Sequence, residues 1–176
     1  MLFANIGLPM IFVSVPIMAM ALIPIAFVEA LVFRWLFSLP LAKAWKGAFN
    51  ANLWSTFLGV PIAWLILVLL EIIGGNGKFL PLDTPLERMT AVILQAPWLM
   101  PYPEALRWMV PAASLLLLVP FYLVSVFVEH RCLDNRWQGI ASRSRLFGGV
   151  LLANFVSYLL LAVYYGGWLM IAQFGE

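Results

Sequence analysis

The sequence predicts an all-helical integral membrane protein with four transmembrane helices. Hydrophobic residues make up 64% of its 176 residues and charged residues only 10%, whereas soluble domains carry about 25% charged residues. A soluble fold of this length leaves roughly a third of its chain surface in contact with water. It could not bury this much apolar surface, so lipid is the expected solvent of the chain.

Four apolar stretches are long enough to cross a hydrocarbon core, which takes a helix of about 20 residues. They are residues 8–33, 49–73, 108–128 and 146–172. Only helices or a closed barrel satisfy the backbone polar groups in lipid. Barrel strands alternate polar and apolar residues, but these stretches are continuously apolar, which predicts a helical bundle. The first stretch lacks a basic start and exceeds the length of a signal peptide, so we expect it to be retained.

The charges in the loops predict the orientation of the chain. Residues 34–47 contain three basic residues and no acid, residues 130–145 contain four arginines against Asp134, and residues 74–107 are balanced. An excess of lysine and arginine marks the cytoplasmic side. We therefore expect a multi-pass protein of the cytoplasmic (inner) membrane with both termini extracytoplasmic. The net charge of +2 is too small to indicate nucleic-acid binding.

Residues 74–107 are predicted to form an extracytoplasmic connector. The glycine-rich segment 74–77 is expected to end the second helix. Thr84, Pro85 and Glu87 have the spacing of a capping box with proline at the first helical position. Leu86, Met89, Ile93 and Val92 would form the apolar face of the following helix, opposite Glu87, Arg88 and Gln95. The pattern indicates a short amphipathic helix in the outer interface, and we favour a membrane-bound connector over a substrate lid.

Prolines predict bent helices. Pro9, Pro16 and Pro24 recur at spacings of seven and eight residues within the first predicted span. Each proline inside a helix removes a backbone hydrogen bond and can bend the helix. Pro40, Pro61, Pro111 and Pro120 are expected to add to the bending of the bundle.

The two halves of the chain resemble each other. Phe27-Val28-Glu29 recurs 100 residues later as 127–129, and after an expected two-residue insertion the offset becomes 102. At that offset Arg34-Trp35 matches 136–137, and Ala51-Asn52-x-x-Ser55 matches 153–157. The order of polar and aromatic residues favours a duplication. Within one transmembrane domain, 1–176, residues 1–73 and 108–176 are predicted to be parallel helical hairpins related by a pseudo-two-fold axis.

Six polar residues near the cytoplasmic ends of the spans are predicted to form a polar latch or an ion site. They are Glu29, Asn52 and Ser55 in the first half and Glu129, Asn154 and Ser157 in the second. A carboxyl group inside a membrane is costly and indicates function by default, whereas asparagine and serine commonly bind helices to one another. We favour two polar latches, one in each hairpin, with Glu facing Asn. The alternatives are an ion or proton site at the paired acids, and an interfacial Glu129 beside His130.

No pattern of catalytic or metal-binding residues is recognised. Glu129, His130, Cys132 and Asp134 resemble a ligand cluster, but residues 130 and 132 of a helix point in different directions, and metal sites need three or four convergent ligands. We interpret this segment as a charged helix end. The motifs of zincins, nucleophile elbows and phosphate-binding loops are missing. The sequence therefore predicts neither an enzyme nor a metal or cofactor site, and it does not identify any cofactor. The lone cysteine excludes an internal disulfide.

Two functions are compatible with these sequence features. The first is a non-catalytic membrane subunit, or an accessory or scaffold factor, of a larger membrane protein complex. Its partners would be the lipid bilayer and other membrane subunits or a second copy of the chain. The second is a small oligomeric transporter or channel with a polar site near the cytoplasmic side. Because no convergent chemistry is evident, we favour the first function, and an intramembrane enzyme is the weakest alternative.

Overall fold

Four long helices dominate the computed structural model, which describes residues 7–74, 79–102 and 104–174. The first span is Ile11–Phe37, the second Leu41–Ile73, the third Leu106–Arg136 and the fourth Arg143–Phe174. All four are long and apolar enough to cross a membrane. The prediction of an all-helical protein with four helices able to span a membrane is confirmed.

The spans extend beyond the apolar stretches that predicted them. The second span begins at Leu41 rather than at residue 49, and the third continues to Arg136 rather than ending at residue 128. The charged ends stay helical because basic residues at a span's end reach headgroups and water without interrupting the backbone hydrogen bonds. The expected loops 34–47 and 130–145 therefore shrink to residues 38–40 and 137–142.

The first span begins later than predicted. Leu8–Pro9 is a short strand, β1, that pairs antiparallel with Trp98–Leu99, β2. The N–H of Met10 donates to the carbonyl of Pro97 at 3.0 Å, and the helix starts at the following residue. The prediction that Pro9 lies inside the first helix was therefore wrong. Pro40 likewise precedes the second span, whereas Pro16, Pro24, Pro111 and Pro120 lie inside helices.

The second span contains one wider, π-helical turn. It occupies Ser55–Gly59, between the α-helical segments Leu41–Trp54 and Val60–Ile73. Pro61 follows within the next turn, and a proline has no N–H and crowds the carbonyl four residues earlier. Turns of this kind interrupt α-helices mostly at single positions, often at functional sites. Here the turn begins at Ser55, one of the six predicted polar residues.

The connector contains the predicted short helix, Pro85–Gln95. Its capping box is complete, because the N–H of Glu87 donates to Thr84 Oγ1 and the N–H of Thr84 donates to Glu87 Oε2. A different face packs on the protein, since Ala91, Val92 and Gln95 are buried. Leu86, Met89 and Ile93 are instead exposed. Residues 75–78, which include most of the predicted glycine stop, lie outside the described residues.

The spans form a closed arrangement. The first packs on the second and the third on the fourth, while the first also contacts the fourth and the second contacts the third. The apolar core has two parts. One surrounds Met18, Leu117 and Tyr165, and the other surrounds Phe33 and Trp137 beside the short connections. In the second and fourth spans, the buried residues Asn52, Ser55, Asn154 and Ser157 lie between these two parts.

Candidate functional site

All six sequence-predicted polar residues meet in one buried network inside the bundle. Glu29 comes from the first span, Asn52 and Ser55 from the second, Glu129 from the third, and Asn154 and Ser157 from the fourth. Glu29, Asn154 and Ser157 are 0% exposed, and Glu129 is 1% exposed. Glu129 is therefore enclosed by the bundle rather than exposed on its surface.

Within each hairpin, an asparagine binds a glutamate. Asn52 Nδ2 donates to Glu29 Oε2 at 2.5 Å, and Asn154 Nδ2 donates to Glu129 Oε2 at 2.7 Å. Each Nδ2 also donates to the backbone carbonyl four residues earlier in its own helix, at 3.0 and 3.2 Å. Both hydrogens of each amide are thus used, and the second bond fixes the side chain against its helix. The Glu–Asn contact is the one expected from the sequence.

Between the hairpins, serines bind the glutamates of the opposite half. Ser157 Oγ donates to Glu29 Oε1 at 2.7 Å, and Ser55 Oγ donates to Glu129 Oε1 at 2.9 Å. The sequence predicted two separate latches, but these crossed bonds join them into one network of four helices. Each carboxyl group accepts one amide N–H from its own hairpin and one hydroxyl from the other.

The two carboxyl groups also face each other. Ser157, which binds Glu29, and Asn154, which binds Glu129, lie one turn apart on the fourth span, so the two carboxyl groups are neighbours in the network. Their other partners are amide and hydroxyl groups, and no lysine or arginine in the described part of the chain pairs with them. The network therefore concentrates two acidic groups in a low-dielectric interior without a basic counter-charge.

A hydroxyl pair beside the network is absent from the sequence-predicted set. Ser125 and Tyr158 lie 2.8 Å apart at their hydroxyl oxygens, and Ser125 is buried while Tyr158 is half-buried. The tyrosine ring also packs edge-on against Tyr122. Ser125 precedes Glu129 by four residues and therefore shares its helix face. That spacing is the sequence signal by which it could have been identified.

Glu71 is also absent from the sequence-predicted set. It lies near the end of the second span that is remote from the network, where its carboxyl group accepts the backbone N–H of Trp98. Nearby, Trp64 Nε1 donates to the carbonyl of Pro97 at 2.7 Å. These bonds fasten β2 to the second span. A single acid within the apolar run 65–73 is itself a signal, but the average hydropathy of the run conceals it.

The ligand-like segment at the end of the third span does not converge on one point. The ring of His130 packs edge-on against Phe147, and Cys132 Sγ donates to Asn50 Oδ1 at 3.7 Å. Asp134 pairs with Arg143 at 3.3 Å. Within residues 7–74, 79–102 and 104–174, no three His, Cys, Asp or Glu side chains are placed to hold a metal ion.

One crevice of about 890 Å³ lies away from the network, between the connector helix and the third and fourth spans. Its walls are mostly apolar and include Met89, Trp108, Leu116 and Leu169, with Arg88 at one side. Apolar walls of this kind favour contact with lipid acyl chains over the binding of a polar substrate.

Comparison of the chain with protein-family models, with curated proteins and with solved structures finds no match.

Proposed function

We propose that the chain is a non-catalytic integral membrane subunit, or an accessory or scaffold factor, of a larger membrane protein complex. The observation that carries this proposal is the closure of the polar network. All four carboxyl oxygens of Glu29 and Glu129 accept a hydrogen bond from Asn or Ser of the bundle itself. The polar groups are used to connect the spans, and the outer faces present apolar side chains to their surroundings.

Such a network is suited to holding helices together in lipid. Spans gain no hydrophobic force from packing on one another, because lipid tails are as apolar as their side chains. Hydrogen bonds between spans supply about 0.6 kcal/mol each on average and up to about 1.7 kcal/mol. Two bonds within the hairpins and two between them place this stabilisation at the junction of all four spans.

The proposal includes a duplicated hairpin, which the pattern of burial supports. In the first and third spans, buried residues recur at an offset of 100: Ser14, Met18, Ala26, Glu29, Ala30 and Phe33 against Ser114, Leu118, Val126, Glu129, His130 and Leu133. In the second and fourth spans they recur at 102: Ala44, Gly47, Ala48, Ala51, Asn52, Ser55, Gly59 and Ala63 against Leu146, Gly149, Val150, Ala153, Asn154, Ser157, Leu161 and Tyr165.

The change of offset belongs in the short connections. The first and third helices run without interruption past residues 34 and 134, so a two-residue insertion fits only between helices, where residues 38–40 correspond to 138–142. Phe37 then corresponds to Trp137 rather than to Gly139. Contacts agree with this, since Phe37 covers Gly149 and Trp137 covers Gly47 in the opposite half. In this alignment Arg34 corresponds to Asp134 rather than to Arg136.

The proposal also places the chain as a multi-pass protein of the cytoplasmic membrane with both termini extracytoplasmic. The basic residues of both connections lie at one end of the bundle, where Arg145 Nη2 donates to the carbonyl of Leu36 at 3.0 Å. Excess positive charge favours that end for the cytoplasm. The connector helix Pro85–Gln95 then lies in the outer interface, with Leu86 and Met89 directed to lipid, 74% and 63% exposed.

The test is affinity purification of the tagged full chain from native membranes in mild detergent, followed by mass spectrometry and size analysis. We expect a membrane protein partner at fixed stoichiometry that survives stringent washing. A tagged, unrelated four-span protein at matched abundance is the control for adventitious binding. A chain that elutes alone, as a monomer or as a homo-oligomer, would contradict the subunit role.

A small oligomeric transporter or channel is the second candidate. One observation favours it, namely the pair of facing carboxyl groups, since acids inside membranes commonly mark ion or proton pathways. A transporter needs a hydrated route to these groups, and both are almost completely covered by protein. Ion flux through the purified chain in liposomes distinguishes it from a subunit.

A further inference from the structure

The centre of the network has more acceptors than donors. The amides of Asn52 and Asn154 donate their second hydrogens to the backbone carbonyls of Ala48 and Val150. Ser55 and Ser157 each have one hydroxyl hydrogen, and each also lies within reach of a backbone carbonyl, at 3.1 and 3.0 Å. No donor of these four residues remains for the contact between the two carboxyl groups.

We propose that Glu29 and Glu129 hold one proton between them, so that the centre of the network is a proton-binding site. The inference concerns the same residues as the proposed latch but does not depend on a partner protein. The proton lies on an oxygen of one carboxyl group and is donated to an oxygen of the other. The contact then becomes a charge-assisted hydrogen bond, which is among the strongest in proteins.

The electrostatic argument follows from burial and proximity. Two carboxylates that share a site cannot both ionise without strong mutual repulsion. At 0% and 1% exposure, water does not screen that repulsion, and removing ions from water adds several kcal/mol for each charge. No basic side chain of the described residues offsets it. One shared proton removes the repulsion and supplies the missing donor in a single step.

A second observation is independent of the two acids. Asn154 is 0% exposed, yet its Oδ1 is buried without a hydrogen-bond partner, although its Nδ2 binds Glu129. Buried polar groups are nearly always satisfied, so an exception calls for a reason. The surplus of acceptors therefore extends from the carboxyl pair to the neighbouring amide.

The geometry favours a proton over a metal cation. The carboxyl groups are neighbours, bound by Asn154 and Ser157 one turn apart on the same helix, whereas a calcium or magnesium ion would separate them and needs six or more oxygen ligands. Each carboxyl oxygen already accepts a hydrogen bond. The titratable groups around the pair are Tyr158 of the fourth span and His130 and Cys132 of the third. The first and second spans contribute no titratable side chain to the network besides Glu29.

The test is infrared spectroscopy of the purified full chain in nanodiscs, with glutamate labelled by carbon-13. A protonated carboxylic acid has a carbonyl band separate from that of carboxylate, and the label and D2O exchange identify it. At neutral pH we expect this band in the wild type. We expect it to fall to background in both Glu29→Gln and Glu129→Gln, because the new amide N–H replaces the proton as donor to the remaining carboxylate.

Glu71→Gln is the matched control, since Glu71 is a partly buried glutamate of the second span outside the network. The pair's band must persist in that variant. If each single network variant keeps half of the band, the two acids are protonated independently and sharing is wrong. If the wild type has no such band, the proposal is overturned, and stability that depends on Na⁺ or K⁺ would then identify a cation site.

A network variant that fails to accumulate does not prevent the measurement. The band of the wild type, calibrated against free glutamic acid and corrected for the contribution lost in Glu71→Gln, counts the protons directly. One proton per chain supports the proposal. Two protons per chain, or none, contradict it.

Discussion

Ser157 in the fourth span donates a 2.7 Å hydrogen bond to Glu29 in the first span, so that each half of the chain completes the polar environment of the other. The equivalent bond runs from Ser55 in the second span to Glu129 in the third. A bond of this kind couples two hairpins that are far apart in sequence. It adds to the cohesion between the halves, which Arg145 and Leu36 and also Cys132 and Asn50 join by hydrogen bonds nearer the short connections.

Removing the hydrogen bond from Ser157 to Glu29 should lower the stability of the bundle, and the loss should be smaller when Glu29 is already absent. We expect Ser157→Ala to lower the free energy of unfolding by about 0.6–1.7 kcal/mol, the range for hydrogen bonds between spans. In a Glu29→Ala background the same change should have a smaller effect. A double-mutant cycle by denaturant unfolding in bicelles measures this coupling. Ser144→Ala, on the exposed surface, is the control, and a coupling of zero would contradict the latch.

The two asparagines should be energetically equivalent. Asn52→Ala and Asn154→Ala each leave a buried carboxyl oxygen without its amide donor, which typically costs about 1–3 kcal/mol. Asn50→Ala is the matched control, because Asn50 is only half-buried and accepts a long contact from Cys132 at 3.7 Å. Unfolding in the same detergent provides all three values. A loss for Asn50→Ala as large as that for Asn52→Ala would count against the network.

The adjacent glycines 148 and 149 should respond oppositely to alanine. A Cβ on Gly149 would collide with the ring of Phe37, while a Cβ on Gly148 would meet nothing. We expect Gly149→Ala to destabilise the chain by about 1–3 kcal/mol through overpacking. Gly148→Ala should be neutral or stabilising, since alanine favours a helix by about 1 kcal/mol over glycine.

The measurement is the midpoint of thermal unfolding for both variants. Phe37→Leu in the Gly149→Ala background should recover part of the loss, because the shorter side chain makes room for the new methyl group. Equal midpoints for the two glycine variants would show that the Phe37 contact does not set the spacing of the first and fourth spans.

The connector helix should loosen in acid. The backbone N–H of Thr84, together with its hydroxyl, holds the pKa of Glu87 below its usual range. A carboxyl group with a lowered folded-state pKa stabilises the helix above its unfolded-state pKa. That contribution is lost as the pH falls through the folded-state value. The protection factors of hydrogen exchange across residues 85–95, which correct for the intrinsic pH dependence of exchange, should therefore decrease at pH values below the ordinary glutamate pKa range, and Glu87→Gln should abolish this decrease.

The sequence was sufficient for much of the fold because the lipid environment restricts it strongly. Continuous apolar stretches had to be helical, and Thr84, Pro85 and Glu87 defined a helix start from local chemistry alone. Helix ends were harder to place. Arg136 and Leu41 continue their helices into regions where hydropathy falls, and hydropathy does not measure backbone hydrogen bonding. The pairing of Leu8–Pro9 with Trp98–Leu99 depends on contacts distant in sequence.

The composition of the candidate site was predictable because its residues recur. Matching Glu29 with Glu129 and Asn52 with Asn154 places all of them at a common depth from the sequence alone. The crossed serine bonds were not predictable, since a repeat does not reveal which spans of the opposite half are neighbours. At the offset of 102, Glu71 matches Gln173 and Tyr158 matches Thr56, so a comparison of halves that looks for identical residues does not single them out.

The central claim is that the buried acids hold the spans together rather than conduct ions, and flux through the purified chain in liposomes tests it most directly. The account predicts that the wild type passes protons, Na⁺ and K⁺ no faster than protein-free liposomes. It also predicts that Asn52→Ala and Asn154→Ala lower the stability of the chain without creating or removing a flux. A wild-type flux above background would contradict the account if Glu29→Gln abolished it while the variant still unfolded like the wild type.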